Sequence, residues 1–217
     1  MIENYNPSQN PFLDIIYQDE DILVLNKPAG LLSVPGREPK HNDSLQSRTQ
    51  EKFKEALTVH RLDMDTSGII IMAIGKEVHR NLSQQFQNRK VKKSYIARVY
   101  GNLEQDEGFI DLPLICDWPN RPKQIVDFEV GKPSQTKWAV LDRLENETRL
   151  RLTPLTGRSH QLRVHLQHIG HPILGDRFYA HPDALKMSDR LYLHSMSLTL
   201  EHPKSLKEMT FSVDTPF

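Results

Sequence analysis

The segment His60-Arg61-Leu62-Asp63-Met64-Asp65-Thr66-Ser67-Gly68 gathers two carboxylates, an arginine, a histidine and two hydroxyls into nine residues. It lies between Leu57-Thr58-Val59, a β-branched approach, and Ile69-Ile70-Ile71-Met72-Ala73-Ile74, an apolar run long enough for a buried strand. Carboxylates beside buried strands are costly unless they have a function or a partner. Asp63 is the leading candidate for chemistry. An aspartate in a turn commonly accepts backbone N–H groups, and Thr66-Ser67-Gly68 fits Asp65 to that role. In an extended segment Asp63 and Asp65 would point the same way and could serve as acid and base, as in a glycosidase.

A second polar cluster is Arg158-Ser159-His160-Gln161-Leu162-Arg163-Val164-His165. Helical spacing places Arg158, Gln161 and His165 near one face, with Arg163 adjacent. The N-terminus of such a helix offers N–H groups and a positive dipole end suited to a phosphate or carboxylate. An arginine against Asp63 would keep that carboxylate ionised and oriented. His160, His165, His168 and His171 match no usual zinc spacing, and no glutamate sits between them as in H-E-x-x-H. The single cysteine, Cys116, has no neighbouring histidine and excludes an internal disulfide and a cysteine-based zinc site. Neither a Gly-rich phosphate loop nor a G-x-S-x-G elbow occurs. Tyr95 follows Lys92 and Lys93, and a phenol ring beside cations suits stacking on a base.

These residues need a scaffold. The 217 residues are 37% hydrophobic and 26% charged, which describes a soluble globular chain with enough apolar material for a core. No apolar run is long enough for a membrane span, and residues 1–7 lack the pattern of a signal peptide. A cytoplasmic location is the default expectation. The 28 basic and 28 acidic residues cancel, yet Arg89 to Arg98 holds five basic residues and no acid, so a neutral total can hide a one-sided surface.

Hydrophobic patterning predicts a leader over residues 1–14 and a hairpin from Ile15-Ile16-Tyr17 and Ile22 to Lys27. It predicts helices from Asp43 or Ser44 to about Phe53, Lys76 to Asn88, and Ser159 to Ile169. Val78, Leu82 and Phe86 form one stripe of the second. Strands are predicted over Ser94 to Tyr100, Gln135 to Leu144, Thr148 to Thr153, Leu191 to Leu200 and Met209 to Val213. Residues 116–124 are a predicted loop, and residues 171–190 a loop with a short helix near Asp183. Strands in hairpins with few helices favour an α+β fold with a mixed, largely antiparallel sheet. No linker interrupts residues 15–217, so one compact unit is expected.

The nonapeptide resembles the H-R-L-D-x-x-T-S-G signature of the RluA family of RNA pseudouridine synthases. Arg158 to His165 is similar to that family's G-R-T-H-Q-I-R-V-H segment, with Ser159 for Thr and Leu162 for Ile. Gly170-His171-Pro172-Ile173-Leu174-Gly175-Asp176 matches its G-H-P-I-x-G-D loop, and Tyr17 to Gly30 is similar to its entry segment. The resemblance implies a single catalytic domain over residues 15–217 with a central active-site cleft flanked by sheet and helices. Larger relatives carry an N-terminal S4 domain; the catalytic entry here begins near residue 15, so none is expected.

The resemblance also implies the reaction. Uridine is detached from ribose at N1, the base is rotated, and it is rejoined through C5, with no cofactor or metal. Asp63 is then the catalytic aspartate, attacking C1′ or C6 or removing the C2′ proton. Arg163 is its paired cation, and Tyr95 stacks on the target base and acts in C5 deprotonation. Arg61 fills the gap left by a flipped nucleotide, and flipping is cheapest in loops. Further RNA contacts are expected at His60, Lys92, Lys93, Arg158, His160 and Gln161, and at Trp118, Arg121 and Lys123 of the 116–124 loop. Short members of the family imply two substrates, a loop uridine of 23S rRNA and one in the anticodon stem-loop of certain tRNAs, and a monomer. An RNA-binding module without catalysis and a hydrolase using Asp63 and Asp65 are the competing readings.

Overall fold

Ile69 to Ala73 form the centre of a strand that is buried on both faces, each residue at most 1% exposed. Burial on both sides explains why the run is continuously apolar rather than alternating. A computed structural model describes residues 5–217 of the chain around this strand. Residues 1–4, the start of the expected leader, lie outside the described residues.

The elements run β1 (Ile15–Gln18), β2 (Ile22–Lys27), α1 (Leu45–Lys52), β3 (Ala56–Thr58), β4 (Ser67–Ile74), α2 (Lys76–Gln87) and β5 (Lys92–Tyr100). They continue with β6 (Glu107–Asp111), β7 (Leu114–Cys116), β8 (Gln124–Val126), β9 (Gln135–Leu144), β10 (Glu147–Pro154) and α3 (Gln161–His168). The last are α4 (Pro182–Lys186), β11 (Leu193–Glu201) and β12 (Glu208–Ser212). The chain divides into two compact units, residues 5–93 with 195–216 and residues 94–194 with Phe217. Both crossings fall inside strands, in β5 between Lys93 and Ser94 and in β11 between His194 and Ser195. No linker composition marks a boundary, and the chain passes between the units along strands.

In the first unit β4 lies between β2 and β11, with β1 beyond β2, β12 beyond β11, and β3 also on β4. Pairing is antiparallel for β1 with β2, β2 with β4, β3 with β4 and β11 with β12. Ile22, Val24, Ile69, Ile71, Ala73, Leu198 and Leu200 build its core, with Val78 and Leu82 of α2 laid against them. The predicted four-residue stripe of α2 is therefore its inward face, with Phe86 at the edge. α1 begins at a capping box: Ser44 Oγ accepts the Ser47 N–H, and Ser47 Oγ accepts the Ser44 N–H.

In the second unit β5, β10, β9 and β6 form an antiparallel run. Ala97, Val99, Leu150, Leu152, Leu162, Leu166 and Ile173 are its core, so α3 packs on this sheet. β7 and β8 make a separate antiparallel pair at the two ends of the predicted 116–124 loop. α3 starts at Gln161 rather than Ser159 because His160 takes a left-handed φ of +52°, which no helical residue adopts. The expected α+β architecture and largely antiparallel pairing are otherwise present.

The last residue of the nonapeptide marks the tightest backbone approach of the first unit. Gly68 has φ +109°, and a Cβ there would stand 2.2 Å from the Ser195 carbonyl oxygen. Gly68→Ala is expected to lower unfolding free energy by roughly 2–4 kcal/mol, from strain plus a clash with backbone. Chemical denaturation measures it.

Candidate active site

The nonapeptide is not extended. Thr66 donates its N–H to the Asp63 carbonyl at 3.1 Å, closing a turn over Asp63–Thr66. Asp63 and Asp65 are partly buried and lack the strand geometry that an acid–base pair on one face requires. Arg61 is exposed, while Leu62 and Thr66 to Gly68 are buried and anchor the loop on either side of Asp63.

Two residues that the sequence did not single out hold this loop. Lys27 is 0% exposed at the end of β2. Its ammonium donates to the carbonyls of Pro28 at 2.9 Å, Leu31 at 2.7 Å and Met64 at 2.9 Å. Three donors on three carbonyls make an otherwise prohibitive buried charge tolerable. Gly30 adds its N–H to the same Met64 carbonyl at 2.9 Å. Ser33 Oγ donates to the Leu62 carbonyl at 2.7 Å and accepts the Leu62 N–H at 3.1 Å. The backbone is thus gripped immediately before and after Asp63. The available signal was a lysine and proline two residues beyond a fully apolar run, Ile22 to Leu25.

His60 braces the loop from the other side. Its Nε2 accepts the Ile71 N–H of β4 at 3.0 Å, and its ring stacks on Phe86 with centroids 4.5 Å apart. Burial, reinforced by the Lys93 charge, pushes its pKa down to about 3, so the imidazole is neutral with its proton on Nδ1. Burial also lowers Lys93. The structure therefore gives His60 a structural place in the loop, whereas the sequence set it among RNA contacts. Lys92 is exposed and pairs with Glu208 at 3.1 Å, a solvated contact of little energetic weight.

In the second unit Arg163 is 2% exposed on α3. Its Nε and Nη2 donate to the two carboxylate oxygens of Asp176 at 2.8 and 2.7 Å. Asp176, the last residue of the G-H-P-I-x-G-D match, is 0% exposed. The fork is bidentate and fixes the guanidinium plane. Arg163 also lies over the rings of Phe178 at 5.2 Å and Tyr179 at 5.3 Å. Tyr95 is partly buried, opposite Leu152 in the β5–β10 register, and packs on the core of its unit.

Gln161 departs from its expected role. It is buried, its Oε1 accepts the Arg158 N–H at 3.0 Å and the Thr156 hydroxyl at 2.7 Å, and its Nε2 donates to the Gln135 carbonyl and Thr136 Oγ1, both at 3.0 Å. Every donor and lone pair of that amide is engaged inside the protein. Gln161 organises the start of α3. His165 is fully buried with Nε2 at 3.1 Å from the Leu112 carbonyl and Nδ1 at 2.9 Å from Thr136 Oγ1. The carbonyl requires a proton on Nε2, so Thr136 donates to Nδ1 while accepting from Gln161. The side chains of Gln161 and His165, which helical spacing puts near one face, form an interior hydrogen-bonded chain through Thr136. Arg158 remains exposed and His160 partly so.

The 116–124 region presents what its composition predicts. Trp118 is 65% exposed, and the Arg121 guanidinium lies 4.8 Å over its ring. Lys123, Gln124, Phe128, Phe178 and Tyr179 line a cavity of about 430 Å³ beside α3. None of the four histidines weighed as metal ligands belongs to a ligand cluster. Among the described residues only Asp19, Asp21 and His202 come within ligating distance of one another. His202 Nδ1 accepts the N–H groups of Lys204 and Ser205, so Nε2 carries the proton and donates to Asp19 at 3.1 Å. That set is a hydrogen-bonded turn.

The first unit clamps a loop around Asp63, and the second buries Arg163 on a helix and carries Tyr95 on a strand, each within the α+β frame. The sequence model of the RNA pseudouridylate synthase family matches residues 21–168, and the chain belongs to that family. It is 56% identical over its whole length to the dual-specificity RNA pseudouridine synthase RluA of Salmonella typhimurium, covering 99% of that protein. Identity to the protein of the same name from Escherichia coli K12 is 55%, again over all of this chain and 99% of the relative. For the one from Haemophilus influenzae it is 55% over 98% of each. The solved structure of human RNA Pseudouridylate Synthase Domain Containing 1 is similar with a TM-score of 0.80 and 27% identity, covering 98% of this chain and 87% of that one.

Two outcomes follow from the buried groups. Asp176→Ala removes the bidentate carboxylate from the buried Arg163 and is expected to lower stability by about 3–5 kcal/mol, read from urea unfolding. His60 binds its proton near pH 6.5 when unfolded and near 3 when folded. Its contribution is present above pH 6.5 and is lost as pH falls toward 3, because the unfolded chain takes up the proton first. His60→Asn is expected to show a shallower acid loss of unfolding free energy, by at most about 1.4 kcal/mol per pH unit.

Proposed function

We propose that this protein isomerises loop uridines to pseudouridine in 23S rRNA and in the anticodon stem-loop of certain tRNAs, working in the cytoplasm where those RNAs are. The observation that carries the reading is the two-sided grip on the Asp63 loop, by Lys27 at Met64 and Ser33 at Leu62. A carboxylate held on a fixed backbone is what a reaction at a single sugar or base carbon needs. The named double specificity of relatives matched along their whole length supports both RNA classes.

Asp63 is the proposed catalytic carboxylate. It attacks C1′ or C6, or takes the C2′ proton, and each route breaks the N1–C1′ bond while the uracil stays bound. The base then turns and C5 bonds to C1′ as Asp63 is released from the carbon it attacked or returns the C2′ proton; the C5 proton leaves and N1 gains a proton, so the product is an isomer of the substrate. Arg163 is proposed to keep Asp63 ionised and oriented. Tyr95 is proposed to stack on the base and to receive the C5 proton. Arg61, exposed two residues before Asp63, is proposed to occupy the stack vacated by the flipped nucleotide. Flipping takes a few kcal/mol and least in a loop, which favours loop uridines. Trp118, Arg121 and Lys123 are proposed to contact the RNA through stacking and charge. Lys92, Lys93, Arg158 and His160 are proposed to add to its binding surface.

The turn at Asp63–Thr66 disfavours the hydrolase reading, which needs both carboxylates on one face. Asp63→Asn and Asp63→Ala are expected to reduce pseudouridine formation by at least about 10²–10⁴-fold, with binding of a stem-loop transcript retained. Full activity in either variant refutes the assignment, and free uracil as product refutes isomerisation. Pseudouridine mapping of total RNA from cells lacking the protein, with and without complementation, identifies the target uridines.

A further inference from the structure

The β7–β8 hairpin belongs to no larger sheet, being a two-stranded pair with a single bridge from Leu114 to Lys132. Isolated pairs of strands are marginal and depend on outside contacts. One such contact is Tyr179. Its phenol oxygen accepts the N–H of Gln124, the first residue of β8, at 2.8 Å. The same oxygen shares a hydrogen bond with His160 Nδ1 at 2.7 Å. His160 is the N-cap of α3, has a left-handed backbone, and uses no side-chain cap. A non-glycine residue in that conformation is strained and persists only where surroundings impose it. The surroundings here are Tyr179 and the Phe178 ring, which stacks on the imidazole at 5.7 Å.

The same two residues contact Arg163. Their rings lie under its guanidinium, and their N–H groups donate to Asp176 Oδ1 at 2.9 and 3.3 Å, the oxygen that also accepts from Arg163. Tyr179 therefore joins three things: the hairpin that carries Trp118 and Arg121, the strained N-cap of α3, and the seat of Arg163. The open cavity beside α3 leaves the hairpin room to shift against this junction.

We propose that Tyr179 is a positioning residue, which converts engagement of the 117–124 hairpin by RNA into the productive setting of Arg163. It rests on the pseudouridine synthase reading given above. The phenol hydroxyl transmits the hairpin's position to the α3 N-cap, and the ring face carries it to the guanidinium. Trp118, at the hairpin tip, is then felt in the rate of the chemical step as well as in binding.

The test uses the full chain and a transcript of a tRNA anticodon stem-loop, with pseudouridine counted over time. Tyr179→Phe keeps the ring over Arg163 and loses both hydrogen bonds. It is expected to lower kcat about 10-fold or more, as misplacement of a reacting group does, with the transcript's Kd unchanged. Gln124→Pro, which deletes the donor and keeps Tyr179, is expected to give the same loss of kcat. Trp118→Ala is expected to raise KM and lower kcat in the wild type, but to raise only KM in the Tyr179→Phe background. Wild-type kcat in Tyr179→Phe, or kcat losses that simply multiply in the double variant, overturn the proposal. If the underlying function is wrong, the wild type forms no pseudouridine. If only the coupling is wrong, the wild type is active and Tyr179→Phe matches it.

Discussion

A single ammonium group underlies the Asp63 loop. Lys27 is sealed from solvent, and its three protons go to carbonyls of Pro28, Leu31 and Met64. A buried charge of this kind tolerates no loose geometry, because each carbonyl that drifts away leaves part of the charge unsolvated. The loop is therefore tied to the end of β2, and β2 is tied through six registered residues to β4, the strand the loop leads into. Position flows from the most buried strands of the first unit outward to Asp63. The loop needs no regular structure of its own to be rigid.

The second unit reaches the same end with different chemistry. Its polar residues are inside, and each is held by another: Thr136 by Gln161 and His165, Arg163 by Asp176, Asp176 by the backbone of Phe178 and Tyr179. Fully satisfied networks of this kind specify one arrangement, since any alternative strands a buried group. α3 is thereby fixed in rotation as well as in place. That sets which way Arg163 faces, something apolar packing alone does less strictly.

Much of this was legible in the residues. Periodicity located α1 and α2 to within a residue or two, and the continuous apolar run identified β4. What stayed hidden was of two kinds. Lys27, Ser33 and Gln161 act through side chains whose partners are distant in sequence or in the backbone, and neither spacing nor composition reveals a carbonyl as a partner. His60 and Gln161, expected among RNA contacts, also hydrogen-bond within the protein, His60 to the Ile71 N–H and Gln161 to four partners. The division into two units was invisible because the chain passes between them along strands.

That passage has a consequence for how the protein is made. The second unit is nearly one continuous stretch, residues 94–194, whereas the first needs β11 and β12, which come more than a hundred residues after β4 and β5 begin. On the ribosome the later-encoded unit can close while the earlier one still waits, with β4 lacking its β11 neighbour. The long apolar strand that supports the Asp63 loop thus waits for its β11 neighbour until late in synthesis. The Asp63 loop acquires its full support only when the last strands of the fold have been translated.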